Sequence, residues 1–317
     1  MRLSVAIPMR NEEQVLPELL DRLRAVLDAL PGGPHEMIFV DDGSRDATLD
    51  LLQAAALADR RIVVVSLSRN FGHQAALTAA LDQATGDAVV VMDGDLQDAP
   101  EDIPHLVARF AEGFDVVYAQ RVHRKERLLL RLAYFVFYRL IASMSKLKLP
   151  VDAGDFGVMS RRVVAEIRRV PEHNRYLRGL RTWVGFRQTG LQLERRERFA
   201  GRSKYSVRAL IRLAFDGIFA FSIAPLRAAA VLGTIAVLLA TLFALYAVYA
   251  RLVLHQSPQG FTAVIVVVTF LSGMNLFFLG VIGEYVGRVY EEAKARPLYV
   301  VGRLIRDGRE QRTGPAT

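Results

Sequence analysis

Cysteine is absent from the 317-residue chain, and tryptophan occurs only once. The lack of thiols excludes a disulfide framework and any thiolate metal site. It is also typical of a cytoplasmic domain. The first residues, MRLSVAIPMRNEE, contain a short apolar run that charged residues follow at once. We therefore expect no signal peptide at this end of the chain.

Charge and hydrophobicity are distributed unevenly. Hydrophobic residues make up 52% of the chain and are concentrated after residue 225, and the basic residues behind the net charge of +8 are concentrated in the second half. This pattern suits an anionic membrane surface, phosphate-bearing substrates or nucleic acid. The long apolar runs described below indicate a membrane protein. Attraction to an anionic membrane explains the excess of basic residues better than nucleic-acid binding does. We therefore expect a membrane partner and no nucleic-acid partner.

Short apolar runs alternate with segments of helical apolar spacing over the first hundred residues. The predicted strands are 3–8, 37–40, 62–67 and 88–92, and the predicted helices between them are 13–29, 48–57 and 74–84. This alternation predicts an α/β domain with a mostly parallel sheet. Ligands of such sheets gather at the carboxyl ends of the strands, and polar clusters follow the predicted strands here.

An acidic motif follows the fourth predicted strand. Asp93, Asp95 and Gln97 are spaced two residues apart, so in an extended chain their side chains would face the same way. Three hard oxygen ligands on one side suit Mg²⁺ or Mn²⁺, with substrate phosphates completing the coordination shell. Such a metal would neutralise a departing diphosphate. The alternative interpretation is a surface turn rich in aspartate.

Two earlier polar segments also close predicted strands. Asp41 and Asp42 could accept hydrogen bonds from a nucleobase or ribose, and residues 8–12 could form a wall of the same pocket. The alternative is a turn in which Asp46 or Ser44 caps the next helix. Both interpretations can hold, on different residues.

Two later segments carry charged groups that could meet a second substrate. Asp155 lies in Asp-Ala-Gly-Asp-Phe, where a carboxylate could orient or deprotonate an acceptor. The loop at 198–205 is basic and contains glycine, which suits phosphate oxygens. The alternative for this loop is a solvated run of charges.

Two uncharged apolar runs, 228–250 and 261–283, each exceed the roughly 20 residues that a membrane-spanning helix needs. Basic residues flank the pair on both sides, so we expect both termini on the cytoplasmic face and the short linker outside. The spacing of Gly283 and Gly287 favours close helix packing and is compatible with a homo-oligomer. The alternative is a hairpin of helices buried in a core.

Two further segments, 126–148 and 206–222, combine apolar residues with arginines at helical spacing. This pattern predicts helices that lie in a membrane interface. The alternative is a pair of ordinary domain helices, each with a solvated basic face.

The motifs form an ordered series. They are Pro-x-x-Asn-Glu, Asp-Asp-Gly-Ser, Arg-Asn-Phe-Gly-His-Gln, Met-Asp-Gly-Asp-Leu-Gln-Asp, Asp-Ala-Gly-Asp-Phe and Arg-x-x-Gly-x-Ser-Lys-Tyr, followed by the two apolar runs. The series resembles the polyprenyl-phosphate glycosyltransferases of glycosyltransferase family 2 over nearly the whole chain. The resemblance implies the GT-A fold, a Rossmann-like domain with a mostly parallel sheet. The middle residue of the acidic motif is often alanine in this family, and here it is Gly94.

The resemblance also implies roles for individual residues. The metal ligands would be Asp93, Asp95 and Gln97. The donor nucleotide would be bound by Pro8, Asn11, Glu12, Asp41, Asp42, Arg69 and Gln74. The catalytic residues would be Asp95 and, beside the acceptor, Asp155. The lipid phosphate or the diphosphate would be bound by Arg121, Arg198, Arg202, Ser203 and Lys204.

The implied reaction is the metal-dependent, inverting transfer of a sugar from a nucleotide-sugar to undecaprenyl phosphate or another polyprenyl phosphate. UDP-glucose is the favoured donor and GDP-mannose the next. A phosphate monoester is largely ionised near neutral pH, so Asp155 would position the acceptor more than deprotonate it. One alternative is a processive polysaccharide synthase, but residues 178–183 lack the Gln-x-x-Arg-Trp motif of such enzymes. Another is a non-catalytic nucleotide-sugar sensor, which has no need of three metal ligands.

Three segments of the chain are therefore predicted. Residues 1–225 would form a cytoplasmic GT-A domain with its interface helices, residues 226–287 a transmembrane hairpin, and residues 288–317 a basic cytoplasmic tail. The protein would reside in the inner (cytoplasmic) membrane.

Overall fold

A computed structural model describes residues 1–121, 153–173, 175–193, 224–253 and 260–311. These residues form two compact units. The first contains the described residues up to 193 together with those from Pro297 onwards, and the second contains the described residues from 224 to 296. The predicted interface helices, 126–148 and 206–222, lie outside the described residues.

The first unit is an α/β domain. Its strands are β1 (Leu3–Met9), β2 (Glu36–Asp41), β3 (Ile62–Leu67), β4 (Ala88–Val91), β5 (Val116–Arg121), β6 (Ala153–Ser160), β7 (Gln188–Leu193), β8 (Val301–Arg306) and β9 (Arg309–Gln311). Its helices are α1 (Leu16–Ala29), α2 (Thr48–Ala58), α3 (His73–Gln83), α4 (Ile103–Ala111), α5 (Arg161–Arg169) and α6 (Leu177–Trp183). The alternation predicted over the first hundred residues is confirmed, and no predicted boundary there differs by more than a few residues.

The described strands form one mixed sheet in the order β7-β5-β6-β4-β1-β2-β3-β8-β9. The strands from β4 through β1 and β2 to β3 are mutually parallel, as the sequence predicts. Strand β6 is antiparallel to both of its neighbours, β4 and β5. Because β6 runs the other way, its first residues lie at the edge where the parallel strands end.

Helices cover both faces of this sheet. All seven residues of β1 are buried, which is typical of a parallel strand with helices on both sides. One apolar cluster joins the sheet to α1, α2 and α4, and the other joins it to α3, α5 and α6. In α1 the buried leucines recur at the helical spacing that marks a single apolar face.

The second unit contains two long helices, α7 (Ala224–Leu252) and α8 (Phe261–Ala293). Within them, Ala229–Ala250 and Val266–Ala293 are long and apolar enough to cross a membrane, judged by length and composition alone. The second helix continues beyond residue 287, where the sequence predicted the hairpin to end.

The end of the chain returns to the sheet and differs from the predicted tail at 288–317. Strand β8 pairs antiparallel with β3. Arg306 donates hydrogen bonds to a carboxylate oxygen of buried Glu36 at 3.1 Å and to the Gln83 carbonyl oxygen at 3.0 Å. The Tyr299 hydroxyl donates to Asp82 at 2.7 Å. These contacts join residues 299–306 to the rest of the first unit.

Candidate active site

The predicted polar clusters share one edge of the sheet. Strands β1, β2, β3 and β4 are parallel, so the segments that follow them begin at the same edge. The residues in question are Asn11 and Glu12 after β1, Asp42 after β2, Arg69 and Asn70 after β3, and Asp93 and Asp95 after β4. Asp155, near the start of antiparallel β6, lies at this edge as well.

Asp41 is buried at the end of β2, with 1% of its surface exposed. Its two carboxylate oxygens accept the backbone N–H of Ser44 at 3.2 and 3.4 Å. Burial raises the pKa of Asp41, and the hydrogen bonds from Ser44 oppose that rise. The carboxylate therefore closes the turn after β2. In the alternative that the sequence left open, Asp46 or Ser44 caps the next helix, and a carboxylate oxygen of Asp46 does accept the N–H of Thr48, the first residue of α2, at 3.1 Å.

Asp42 fixes the loop between β3 and α3. Its carboxylate accepts the N–H of Phe71 at 2.7 Å, the N–H of Gly72 at 3.0 Å and a side-chain N–H of Asn70. Gly43 adopts a φ of +64°, and a Cβ atom there would lie 2.7 Å from the Asn70 nitrogen. The two loops thus approach so closely that only glycine fits at this position.

The loops after β1 and β2 are also joined by hydrogen bonds. The Asn11 N–H donates to the Ser44 hydroxyl at 3.0 Å, and the Asn11 side-chain oxygen accepts the Arg45 N–H at 2.8 Å. The Glu12 N–H donates to the Thr48 hydroxyl at 2.9 Å. Asn11 has a left-handed φ of 53°, which asparagine tolerates better than most residues. These contacts give Asn11 a structural role, and its contact with a nucleotide stays a prediction.

Three other residues that were predicted to bind the donor nucleotide lie in different surroundings. Pro8 lies inside β1, opposite Val40 of β2. The Arg69 guanidinium lies 4.0 Å from the ring centroid of Phe71. Gln74 accepts the backbone N–H of Leu177 through its side-chain oxygen at 2.9 Å, so it holds the start of α6. Nucleotide binding by these three residues also stays a prediction.

The acidic motif forms a turn. Strand β4 ends at Val91, Leu96 has a left-handed φ of 57°, and a carboxylate oxygen of Asp95 accepts the Gln97 N–H at 3.1 Å. The extended conformation predicted for this segment is therefore wrong. The physical reason is local, since an aspartate side chain can bond the backbone two residues later and so stabilise a turn.

The side chains after β4 still fit a divalent cation. Among the described residues, no group of three or more His, Asp or Glu side chains could hold a metal. Mg²⁺ commonly takes only one or two protein carboxylates and completes its shell with water and substrate phosphates. Asp93 and Asp95, followed by the Gln97 amide, match that donor set. We therefore expect that a cation bound here would complete its coordination shell with the phosphates of a substrate.

His73 connects the acidic motif to a second carboxylate. It is the first residue of α3, and its Nε2 lies 3.6 Å from an oxygen of Asp93. Asp155 lies at the same edge of the sheet, and His73 is among the groups whose charge acts on that carboxylate. His73 was not among the predicted site residues, although it lies in the Arg-Asn-Phe-Gly-His-Gln motif.

Asp155 is held by an arginine of α6. Arg178 donates through Nε and Nη2 to the two carboxylate oxygens at 2.6 and 2.8 Å. Burial by itself would raise the pKa of Asp155, but the hydrogen bonds and charge of Arg178, helped by His73 and Arg181, outweigh it and lower that pKa. Asp155 is therefore ionised at neutral pH.

Arg181 is a second cation beside Asp155. It is 3% exposed, donates weakly to the Gly154 carbonyl oxygen at 3.4 Å and lies 4.7 Å from the ring centroid of Tyr118. Its Nε and Nη2 are buried and have no hydrogen-bond acceptor among the described residues. Burial lowers the pKa of Arg181 to about 10, so the side chain is still a cation at neutral pH.

Neither arginine of α6 was among the predicted site residues. They are three positions apart in residues 178–183, the segment that was compared above with the Gln-x-x-Arg-Trp motif of polysaccharide synthases. The spacing places Arg178 and Arg181 on one face of a helix, which was the available signal.

The predicted phosphate-binding residues are largely outside the described chain. Arg121 is the last residue of β5, where its backbone pairs with Leu193 of β7. The residues that lie outside the described part are Arg198, Arg202, Ser203 and Lys204. Their roles stay predictions.

Comparisons with known proteins agree on one family. The family described as Glycosyl transferase family 2 matches residues 4–168. The chain is 42% identical to the uncharacterized glycosyltransferase YkcC of Bacillus subtilis over 94% of this chain and 92% of that protein. It is 44% identical to the uncharacterized glycosyltransferase sll0501 of Synechocystis over 96% of each. It is 37% identical to the prophage bactoprenol glucosyl transferase homolog of Escherichia coli over 96% of this chain and 99% of that protein.

Proposed function

Because the chain belongs to glycosyltransferase family 2, we propose that it transfers glucose from UDP-glucose to a polyprenyl phosphate. The observation that carries the proposal is the similarity to a protein named for bactoprenol glucosyl transfer, which extends over 96% of the chain and so includes both long apolar helices. Bactoprenol is a polyprenol, and its phosphate is the group that would accept the sugar. The product would be a polyprenyl-phosphate-linked monosaccharide.

The donor would lie along the edge where β1, β2 and β4 end. The loops after β1 and β2 are braced against each other by Asn11 and Ser44, which gives a nucleoside a rigid wall. Asp93, Asp95 and Gln97 would hold Mg²⁺ or Mn²⁺, which supplies charge neutralisation for the departing diphosphate. Preorganised charge of this kind lowers the barrier because it needs no rearrangement during the reaction.

The acceptor phosphate does not need to be deprotonated by the enzyme. A phosphate monoester has a second pKa of about 6, so most of it is a dianion at neutral pH. One of its oxygens would attack the anomeric carbon as the bond to the diphosphate oxygen breaks on the opposite face, with inversion. No proton has to be removed in this step. The ionised, arginine-bound state of Asp155 agrees with a positioning role.

The helices of the second unit support a membrane-bound reaction. Helices α7 and α8 would cross the inner membrane, with the catalytic domain and both termini on the cytoplasmic side. A nucleotide-sugar is dissolved in the cytosol, while the phosphate of a polyprenyl lipid lies at the headgroup level. The enzyme would thus meet its two substrates at the membrane surface.

A donor panel tests this proposal. Detergent-purified protein, Mg²⁺ and undecaprenyl phosphate are mixed in turn with radiolabelled UDP-glucose, GDP-mannose, UDP-N-acetylglucosamine and UDP-aminoarabinose, and labelled lipid is extracted. We expect label from UDP-glucose, lost with EDTA and in Asp95→Asn but retained in Asp50→Asn, whose side chain is exposed on α2.

The other outcomes are informative. Label from GDP-mannose alone would change the donor and leave the reaction class intact. Nucleotide binding without any labelled lipid, from any donor, would contradict the proposal and favour a sensor or a polymer synthase.

A further inference from the structure

Hydrogen bonds join the loop after β1 to the loop after β2 in both directions. The N–H groups of residues 11–13 donate to side chains of the second loop, namely Ser44 at 3.0 Å, Thr48 at 2.9 Å and Asp46 at 3.3 Å. In return, the N–H groups of Arg45 and Ala47 donate to the side chains of Asn11 at 2.8 Å and Glu13 at 2.9 Å. A side chain is the acceptor in each of these bonds, so side-chain substitutions can test them one by one.

Thr48 lies at the centre of these contacts. It is the first residue of α2 and is 0% exposed, and its hydroxyl accepts the Glu12 N–H. Burial by itself raises the pKa of Asp46, but hydrogen bonds from the side chain and the N–H of Thr48 and from the Glu13 N–H outweigh it and lower that pKa. A hydroxyl has one donor and two acceptor sites, so the same group can serve Glu12 and Asp46.

The backbone of Glu12 is held on both sides. Its N–H donates to Thr48, and its carbonyl oxygen accepts the N–H groups of Val15 and Leu16, each at 3.0 Å, where α1 begins. The direction in which the Glu12 side chain leaves the backbone is thus fixed. Glu12 lies at the edge where β1 ends and is a residue expected to bind the donor nucleotide. The Thr48 hydroxyl therefore helps to determine where that carboxylate lies.

The same hydrogen bonds limit what the two loops offer a ligand. The N–H groups that already donate to side chains of the protein are those of residues 11, 12, 13, 44, 45, 47 and 48. A nucleotide bound at this edge would therefore meet side chains and carbonyl oxygens of these loops more than N–H groups. The position of an acceptor such as the Glu12 carboxylate then matters for binding the hydroxyls of a nucleoside.

We propose that Thr48 is a positioning residue for the donor nucleotide, that it acts through Glu12, and that Asp46 and Glu13 hold the two loops in register around it. This inference rests on the proposed function. Because Thr48 is fully buried, it does not touch the nucleotide itself. Without the hydroxyl, the Glu12 N–H loses its acceptor, and an unsatisfied donor is unfavourable enough to displace the loop.

The test replaces the Thr48 side chain in the full chain in detergent. Thr48→Val removes the hydroxyl at nearly constant size, and Thr48→Ser keeps it. The measurements are the Kd of UDP, the KM of UDP-glucose, the KM of undecaprenyl phosphate and kcat. If the donor panel identifies GDP-mannose, GDP and GDP-mannose replace the uridine compounds.

We expect Thr48→Val to raise the Kd of UDP and the KM of UDP-glucose roughly 3- to 10-fold, the size of one hydrogen bond. The KM of undecaprenyl phosphate and kcat should stay within about twofold of wild type, because only donor binding is affected. Thr48→Ser should restore most of the UDP affinity. UDP binding by Thr48→Val within about twofold of wild type would overturn the proposal, and so would equal losses in the serine and valine variants.

The opposite edge of the sheet offers a matched control. The Thr85 hydroxyl lies 3.2 Å from each carboxylate oxygen of Glu36, which is the first residue of β2. Thr85→Val removes the same group from a polar contact away from the site and should leave the Kd of UDP within about twofold of wild type. Thermal unfolding compares the stabilities of the two valine variants. Equal weakening of UDP binding in both would mean a general loss of stability, and the proposal would be wrong.

A double-mutant cycle tests the route through Glu12. If Thr48 acts through Glu12, then Thr48→Val/Glu12→Ala should bind UDP no more weakly than Glu12→Ala alone. Losses that multiply, or a Glu12→Ala variant with wild-type affinity, would contradict the proposal. Glu13→Ala removes the acceptor of the Ala47 N–H and should also weaken UDP binding, so it provides the test if Thr48→Val fails to fold. Wild-type affinity in a folded Glu13→Ala would then count against the proposal.

Wild-type protein is measured first. Wild type that neither binds the nucleotide nor transfers sugar to lipid would overturn the proposed function, and this inference with it. Wild type that transfers sugar, combined with unchanged nucleotide binding in Thr48→Val, would contradict only the positioning role of Thr48.

Discussion

The Sδ atom of Met9 lies 2.1 Å from the point that a Cβ atom on Gly94 would occupy. The carbonyl oxygen of Pro8 is 3.2 Å from the same point. The end of β1 therefore packs directly against the backbone of the acidic motif. A Cβ atom at residue 94 would therefore overlap the side chain of Met9.

Gly94→Ala should therefore lower the free energy of unfolding by about 1–3 kcal/mol, since the buried Met9 side chain must shift. Gly94→Ala/Met9→Ala should lose less than the sum of the two single variants, because the shorter side chain makes room. Thermal unfolding followed by circular dichroism measures all three. Additive losses would show that the two positions do not compete for space.

Asp42→Asn should destabilise the first unit by about 1–3 kcal/mol. The amide NH₂ would replace an acceptor that now faces N–H groups of residues 70–72. Asp50→Asn, at an exposed position, should change stability by less than about 0.5 kcal/mol. Equal unfolding midpoints for the two variants would argue against the loop-fixing role of Asp42.

The ion pair of Asp155 should make stability depend on acid pH. Its folded-state pKa lies below the ordinary value, so ionisation contributes stability above the unfolded-state pKa of about 4. That contribution is lost as the pH falls through the folded-state value. The difference in Tm between wild type and Asp155→Asn should therefore shrink below about pH 4. A difference that is constant from pH 7 to pH 3 would contradict the lowered pKa.

Arg306→Gln should destabilise the first unit by about 1–3 kcal/mol, because buried Glu36 loses a charged partner. Arg309→Gln, at the first residue of the exposed strand β9, should be close to neutral. Chemical unfolding of both variants gives the comparison. Similar losses in the two would mean that the hairpin contributes through its strand pairing and not through Arg306.

Asp93→Ala should abolish turnover, whereas Asp155→Ala should reduce it incompletely. The first substitution removes an expected metal ligand, and the second removes a residue that holds an arginine. Transfer of labelled sugar to lipid measures both rates, and circular dichroism confirms that each variant is folded. Complete loss in both variants, with folding intact, would contradict this division of roles.

The elements around β1 were predictable because their signals are local. Apolar runs predicted β1 to β4, helical spacing predicted α1 to α3, and polar residues marked the strand ends. The conformation of residues 93–97 was not predictable in the same way. Alternation assumes an extended chain, and the hydrogen bond from the Gln97 N–H to Asp95 makes a turn instead.

Local patterns in the sequence were sufficient to predict the α/β pattern, the edge of the sheet at which the candidate residues gather and the two long apolar helices. Only the tertiary structure decided that Asp155 pairs with Arg178, that β6 runs antiparallel beside β4, and that β8 joins β3. Each of these depends on strand register and on packing between residues far apart in the chain. Local periodicity carries no information about which distant residue a side chain will meet.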